Sequence, residues 1–403
     1  TDACQHLLLI FPPLPFTIRE KRPLSHFSPK ETATFLLFLM EGVKMCSKVT
    51  LITEDMLAGV YHQIKPAGSV GTGALMLTKK QKNTLLYILF VFILCSAAMD
   101  FEFLVLKTDE TFLAENIFCK LFALLMIYLC LEDRKLTWRS IGLRRSGITK
   151  GMILGFSIGI ITFTASYLVE FILLLILGKS PRPGFYLTSF SLTNRTATKL
   201  TVSAILICIA GNIINVLAEE GLFRGLFYKL GRRALSVKYA NLLQALLFSI
   251  WHLITVVVWY RQGSLTISSA LLFGAGYLLT AGISGFAWGL CVTLTGTLWT
   301  GIFQHFFSNV IGSFLHVVTA TGTDELQIFR LALSNVLSLL LVILLAKHKK
   351  QPAGRRQHSM KSMPSNAVRR TDPSPSNAGQ RSKSSIPPAG KASKPGRRKR
   401  RGN

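Results

Sequence analysis

The chain has 403 residues, half of them hydrophobic and only 16% charged, with a positive mean hydropathy. This balance excludes an ordinary soluble enzyme with a polar surface and predicts a polytopic membrane protein. The formal charge of +27 would suit a nucleic-acid binder, but the excess gathers in the C-terminal tail without interleaved aromatic residues, so nucleic acid is not an expected partner.

Residues 1–75 begin without Met and contain no apolar run of transmembrane length. They read as an N-terminal extension that need not belong to the native protein. Met76, followed by Lys79, Lys80 and Lys82, reads as the start of the membrane domain, 76–346. Within it, apolar runs of roughly the 20 residues needed to cross about 30 Å of hydrocarbon recur. They lie near 84–106, 112–131, 151–177, 200–218, 239–260, 268–293, 298–318 and 326–346. The expected fold is all-α, with about eight transmembrane helices.

Lysine and arginine cluster before the first span, at Arg134–Lys150, at Arg232–Lys238 and after the last span. If the spans alternate, these clusters share one side, so both termini are expected in the cytoplasm. The membrane would be the plasma membrane in a bacterium or the endoplasmic reticulum in a eukaryote. The loop 178–199 falls opposite and holds an Asn-Arg-Thr glycosylation sequon at 194–196, which has meaning only in a secretory pathway. Residues 347–403, basic apart from Asp372 and rich in Pro, Ser, Gly and Asn, read as a disordered cytoplasmic tail. The seven cysteines form no CxxC pair and predict neither a disulfide framework nor a thiolate metal site.

Ionisable residues inside apolar helices cost several kcal/mol, at least about 3, so they pair or serve a function. Three sets stand out: Glu219, Glu220 and Arg224 at the close of span four, His252 midway along span five, and His305 with Asn309 in span seven. Glu220 and Arg224 are spaced for an internal ion pair, which leaves Glu219 about 100° round the helix and free for chemistry. Asn212, Asn215 and Glu219 follow one helix face as a polar seam. Glu170, Glu115, Lys120 and Gln304 read as structural. Such parts suit hydrolysis of an amide: a carboxylate takes a proton from water, a histidine positions that water, and an amide donor stabilises the oxyanion. Glu219, His252 and His305 would equally supply three ligands to a divalent metal such as zinc.

The segments EEGLFR, FSIWH and HFFSN match the patterns EExxxR, FxxxH and HxxxN in order. With the flanks WRSIGLRR and FAWGLCVTLTGTLWTGIFQH, they resemble the CPBP family, the CAAX prenyl endopeptidase and bacteriocin-processing (Abi) proteins. The resemblance covers about 130–320, with the motif core in about 200–318. It implies an eight-helix intramembrane endopeptidase whose chamber opens to the bilayer and whose substrate is a membrane-associated or lipidated protein or a leader peptide. By the same resemblance Glu219 would be the base, Glu220 and Arg224 its supporting pair, His252 the water-positioning group, and His305 with Asn309 the oxyanion side. The absence of HExxH in the sequence, and an amide rather than a ligand one turn from His305, favour a glutamate mechanism without an obligatory metal.

Three other readings are open to these residues. GISG at 282–285 resembles a rhomboid GxSG, with Ser284 as nucleophile, but the HxxxN helix follows the serine instead of preceding it, so Gly282 and Gly285 read as helix-packing residues. A proton-coupled transporter would also use buried Glu and His, yet no internal repeat is visible. A non-catalytic immunity or scaffold protein of the same fold would keep the polar cluster for structure alone.

Overall fold

In a computed structural model of the chain, the described residues are 77–108, 116–188, 197–198, 200–320, 322 and 324–350. The N-terminal extension, Glu115, the sequon at 194–196 and the tail from 351 onward lie outside the described residues.

Helix α1 (Lys79–Phe101) opens with a capping box between Thr78 and Gln81 and ends in a π-helical turn at Glu102–Leu106. It is followed by α2 (Phe118–Asp133), α3 (Ile148–Ile176) and α4 (Val202–Glu219), the last capped by the Thr201 hydroxyl, which accepts from the Ala204 amide. Next come α5 (Val237–Trp251), α6 (Leu253–Arg261), α7 (Ile267–Thr295), α8 (Trp299–Phe314) and α9 (Gln327–Lys350). Helix α7 starts on a second capping box, Thr266 with Ser269, and stops where Gly296 turns left-handed, with φ 70°.

Among the described residues, six helical stretches are long and apolar enough to cross a membrane: Lys79–Leu106, Ile148–Ile176, Val202–Gly231, Val237–Arg261, Ile267–Thr295 and Gln327–His348. The other two expected spans correspond to α2 and α8, of 16 residues each, about 24 Å at 1.5 Å per residue. The expected start of span two at 112 lies outside the described residues. Span seven, expected to run to 318, is a helix only to Phe314. There the chain becomes extended, and β4 (Leu315–Val318) pairs antiparallel with β1 (Arg182–Phe185), Phe185 opposite Leu315 and Arg182 opposite Val318. A second small pair joins β2 (Leu187–Thr188) to β3 (Ala197–Thr198).

Polarity runs opposite to that of a soluble protein. Ile153, Ile160, Ile161, Leu168 and Ile176 on α3, and Ile267, Leu271 and Leu279 on α7, are exposed, whereas Glu219, Glu220, Arg224, Glu170 and Arg330 are buried. Hydrocarbon tolerates the first set outside and forces the second to find partners inside.

Two contacts position the site. Gly151, Gly155 and Gly159 recur at four-residue steps along α3, and a Cβ on Gly155 would lie 2.6 Å from the Thr300 carbonyl oxygen, so only glycine lets the α3 and α8 backbones approach this closely. On the other side, Gln244 of α5 donates to the Gly285 carbonyl of α7 at 2.9 Å and Asn241 to that of Phe286 at 3.0 Å. A Cβ on Gly285 would lie 3.2 Å from both Ala245 Cα and Arg224 Nη2. Gln304 of α8 donates to Ser338 of α9.

Toward the strand pair, Arg330 of α9 is fully buried and bonds to Glu170 of α3 and, through two nitrogens, to Asp324. Asp324 also accepts from His316 Nδ1 at 3.0 Å, and the His316 ring stacks on Tyr186 with centroids 3.9 Å apart. Glu170, read as structural from the sequence, is one half of this ion pair.

Candidate active site

The helix carrying the carboxylates does not end at 218, as the hydropathy pattern predicts. It continues to Gly231, about 18 Å beyond Glu219 at 1.5 Å per residue. The turn Glu220–Phe227 is π-helical and every one of its residues is buried, because Leu222, Phe223, Leu226 and Phe227 pack into the core shared with α1 and α2. Glu219 and Glu220 therefore lie within the span and not at its end. A π-helical turn in the middle of a long helix is a feature often found at functional sites.

Glu219 and Glu220 are 4% and 0% exposed, and Arg224 is 0% exposed. Arg224 Nη1 lies 3.4 Å from Glu220 Oε1, the ion pair the spacing predicts, and the guanidinium sits over the Phe248 ring at 3.8 Å from its centroid. His305 of α8 approaches from across the bundle, its Nδ1 3.1 Å from Glu220 Oε1 and its Nε2 3.8 Å from Glu219 Oε2. Trp288 stacks on this imidazole, with centroids 4.2 Å apart and planes 19° apart. Gly301 makes room beneath the carboxylate: a Cβ there would lie 2.8 Å from Glu220 Oε2.

Glu219 is not free. The Lys120 ammonium of α2 donates to its Oε1 at 2.6 Å, and both side chains are buried. From the sequence, Lys120 reads as a structural residue. The signal was present, since a lone lysine in the apolar run FCKLFALLMIYLCL carries the same cost that singles out the glutamates and histidines.

His252 interrupts the expected fifth span, standing between α5 and α6 where the turn tightens: its amide bonds to the Ser249 carbonyl at 3.2 Å, and its own carbonyl accepts from Thr255 at 3.2 Å. Its Nδ1 lies 2.8 Å from the Phe248 carbonyl oxygen, which can only accept, so Nδ1 carries a proton and, in the neutral imidazole, Nε2 is the acceptor. Glu219 is within electrostatic reach of His252 as well as of Lys120 and His305. Asn309, one turn beyond His305, donates to Asn212 Oδ1 at 3.0 Å, and Asn212 in turn donates to the Phe306 carbonyl at 3.1 Å. The polar seam of α4 is thus joined to α8, with Asn309 meeting Asn212 while His305 meets the carboxylates.

Among the described residues, no group of three or more His, Cys, Asp and Glu side chains is arranged to hold a metal ion. The Lys120 ammonium is seated on Glu219 Oε1. Ser284, the rhomboid-type candidate, is buried and donates to its own helix at the Thr280 and Ala281 carbonyls.

Residues 201–311 match the family model of the type II CAAX prenyl endopeptidase Rce1-like proteins. The matched stretch contains all three motifs, so this part of the chain is similar to the CAAX-type proteases. No curated protein matches the chain.

Proposed function

We propose that this protein is an intramembrane endopeptidase that hydrolyses a peptide bond of a membrane-associated or lipidated protein, with Glu219 as the base. The observation that supports it most is the convergence of three distant segments on one buried polar site: Lys120 and His305 against Glu219 and Glu220, with Arg224 behind Glu220. Maintaining that many ionisable groups in a membrane interior is costly, and hydrolysis gives each of them a task.

In this reading a water molecule lies between Glu219 Oε2 and the acceptor Nε2 of His252. Oε2 removes one proton as the water oxygen attacks the scissile carbonyl carbon. Of the two Asn309 amide hydrogens, one serves Asn212 and the other is available to the oxyanion. The Nδ1 of His305 is directed to Glu220, so this histidine orients the carboxylates. Glu219 then passes its proton to the amide nitrogen as the C–N bond breaks. No metal enters these steps, because a second cation on Oε1 would be repelled by the Lys120 ammonium. The basic loops support an orientation with both termini in the cytoplasm.

The test compares the termini of membrane proteins, by mass spectrometry, in cells carrying wild type or Glu219→Gln. A set of C-terminal fragments present only with wild type is expected. Identical termini in the two strains, with both proteins expressed, would overturn the protease reading in favour of a scaffold.

A further inference from the structure

We propose that Lys120 is a positioning residue of this site: its ammonium anchors the Glu219 carboxylate through Oε1 and thereby leaves Oε2, which faces His305, to take the proton from the attacking water. This inference rests on the protease reading above.

The placement of Lys120 is determined by a carboxylate on another helix. Helix α1 ends in a π-helical turn whose first residue, Glu102, is buried. Its carboxylate accepts from the Phe118 amide at 3.0 Å and the Cys119 amide at 2.6 Å, and also from the Thr108 hydroxyl. Two of the orphan amides at the start of α2 are thereby satisfied, which sets where the helix begins and which way its third residue points. That residue is Lys120, and its Nζ reaches Glu219 across the interface between α2 and α4.

Local stability does not account for a lysine here. A cation in the first turn of a helix opposes the macrodipole, and burying a charge pair is often no better than burying apolar side chains of similar volume. What the pair does provide is orientation. Among the described residues, the bond from Lys120 is the one hydrogen bond made by the Glu219 carboxylate, while His305 Nε2 stands 3.8 Å from Oε2. The other charged or titratable groups around the pair are His252 beside the break between α5 and α6, Glu220 and Arg224 on the next turn, and Glu102 and Cys119 beside Lys120. Lys120 and Arg224 thus lie beside the Glu219 and Glu220 carboxylates. The Trp251 ring, with its centroid 5.2 Å from Nζ, flanks the ammonium.

The test uses the full-length protein in detergent and a quenched fluorescent peptide carrying a prenylated cysteine near its C-terminus. Lys120→Met is expected to lower kcat about 100-fold, the order of loss for a misplaced catalytic group, with KM unchanged, while Lys120→Arg recovers most of that loss. Thermal melting of Lys120→Met, Glu219→Gln and the double variant is expected to be non-additive, the double melting above the sum of the two single losses. Additive melting, or a wild-type kcat in a folded Lys120→Met protein, would overturn the role of Lys120. Undiminished cleavage by Glu219→Gln would instead overturn the protease reading itself, so the two failures are distinguishable.

Discussion

Replacing Arg330 with methionine removes a fully buried guanidinium that pairs with both Glu170 and Asp324. Methionine fills much of the same volume, so the loss isolates charge and hydrogen bonding. Taking one partner from a buried ion pair costs about 3–5 kcal/mol, because the remaining charge stays desolvated, and here two carboxylates are left. At roughly 2–4 °C per kcal/mol for a domain of about this size, the melting temperature should fall by on the order of 10 °C. The buried thiols of Cys95, Cys119, Cys130, Cys208 and Cys291 supply the assay, since a thiol-reactive dye reports their exposure on heating. Adding Glu170→Gln and Asp324→Asn should recover much of the loss, because no unpaired carboxylate remains. An Arg330→Met protein melting within about 2 °C of wild type would refute the claim that this cluster ties α9 to α3.

Gly155→Ala should destabilise the fold and lower cleavage, since its Cβ would meet the Thr300 oxygen at 2.6 Å and push away the helix that carries His305; an unchanged melt and rate would refute it. Glu220→Gln should cost stability, about 3 kcal/mol, by stripping Arg224 of its anion, whereas Glu219→Gln keeps an oxygen for Lys120 and should cost mainly activity; equal activity and equal stability in both variants would sink the assignment. Burial pushes the Asp324 carboxyl up, but the hydrogen bond from His316 and the Arg330 charge outweigh it and hold it below the ordinary 3.8. The unfolded chain therefore takes up that proton first as pH falls. The stabilisation is complete above about pH 4 and is lost as pH drops through the depressed value, so the melting gap between wild type and Asp324→Asn should narrow in acid. Chelators should leave cleavage by the purified protein intact; zinc lost and regained in step with activity would refute the metal-free reading.

Much of the architecture is legible without coordinates, because a membrane interior imposes a length and an apolar composition that a linear scan detects. The three polar segments also announce themselves, since each is an expensive residue type in an apolar run. The scan fails where the signal is not local. Helix α4 keeps its apolar character through Leu222, Phe223, Leu226 and Phe227, and a reading that ends spans at charges stops too early at 218. Helix α8 ends at Phe314 because the following residues find a strand partner in Arg182–Phe185, more than a hundred residues earlier in the chain.

The sequence by itself determined a helical membrane protein, the identity of its costly residues, and the Glu220–Arg224 pair four positions apart on one helix. Tertiary structure alone decided which of those residues meet: Lys120 with Glu219, His305 with Glu220, Asn309 with Asn212, and Arg330 with Glu170 and Asp324. The reason is physical. The cost of a buried charge belongs to a single residue and can be read from its neighbours in the chain, whereas its compensation belongs to a pair. Partners on different helices are selected by how the backbones pack, at Gly151 and Gly155 of α3 or Gly285 of α7, and no spacing along one segment records that choice.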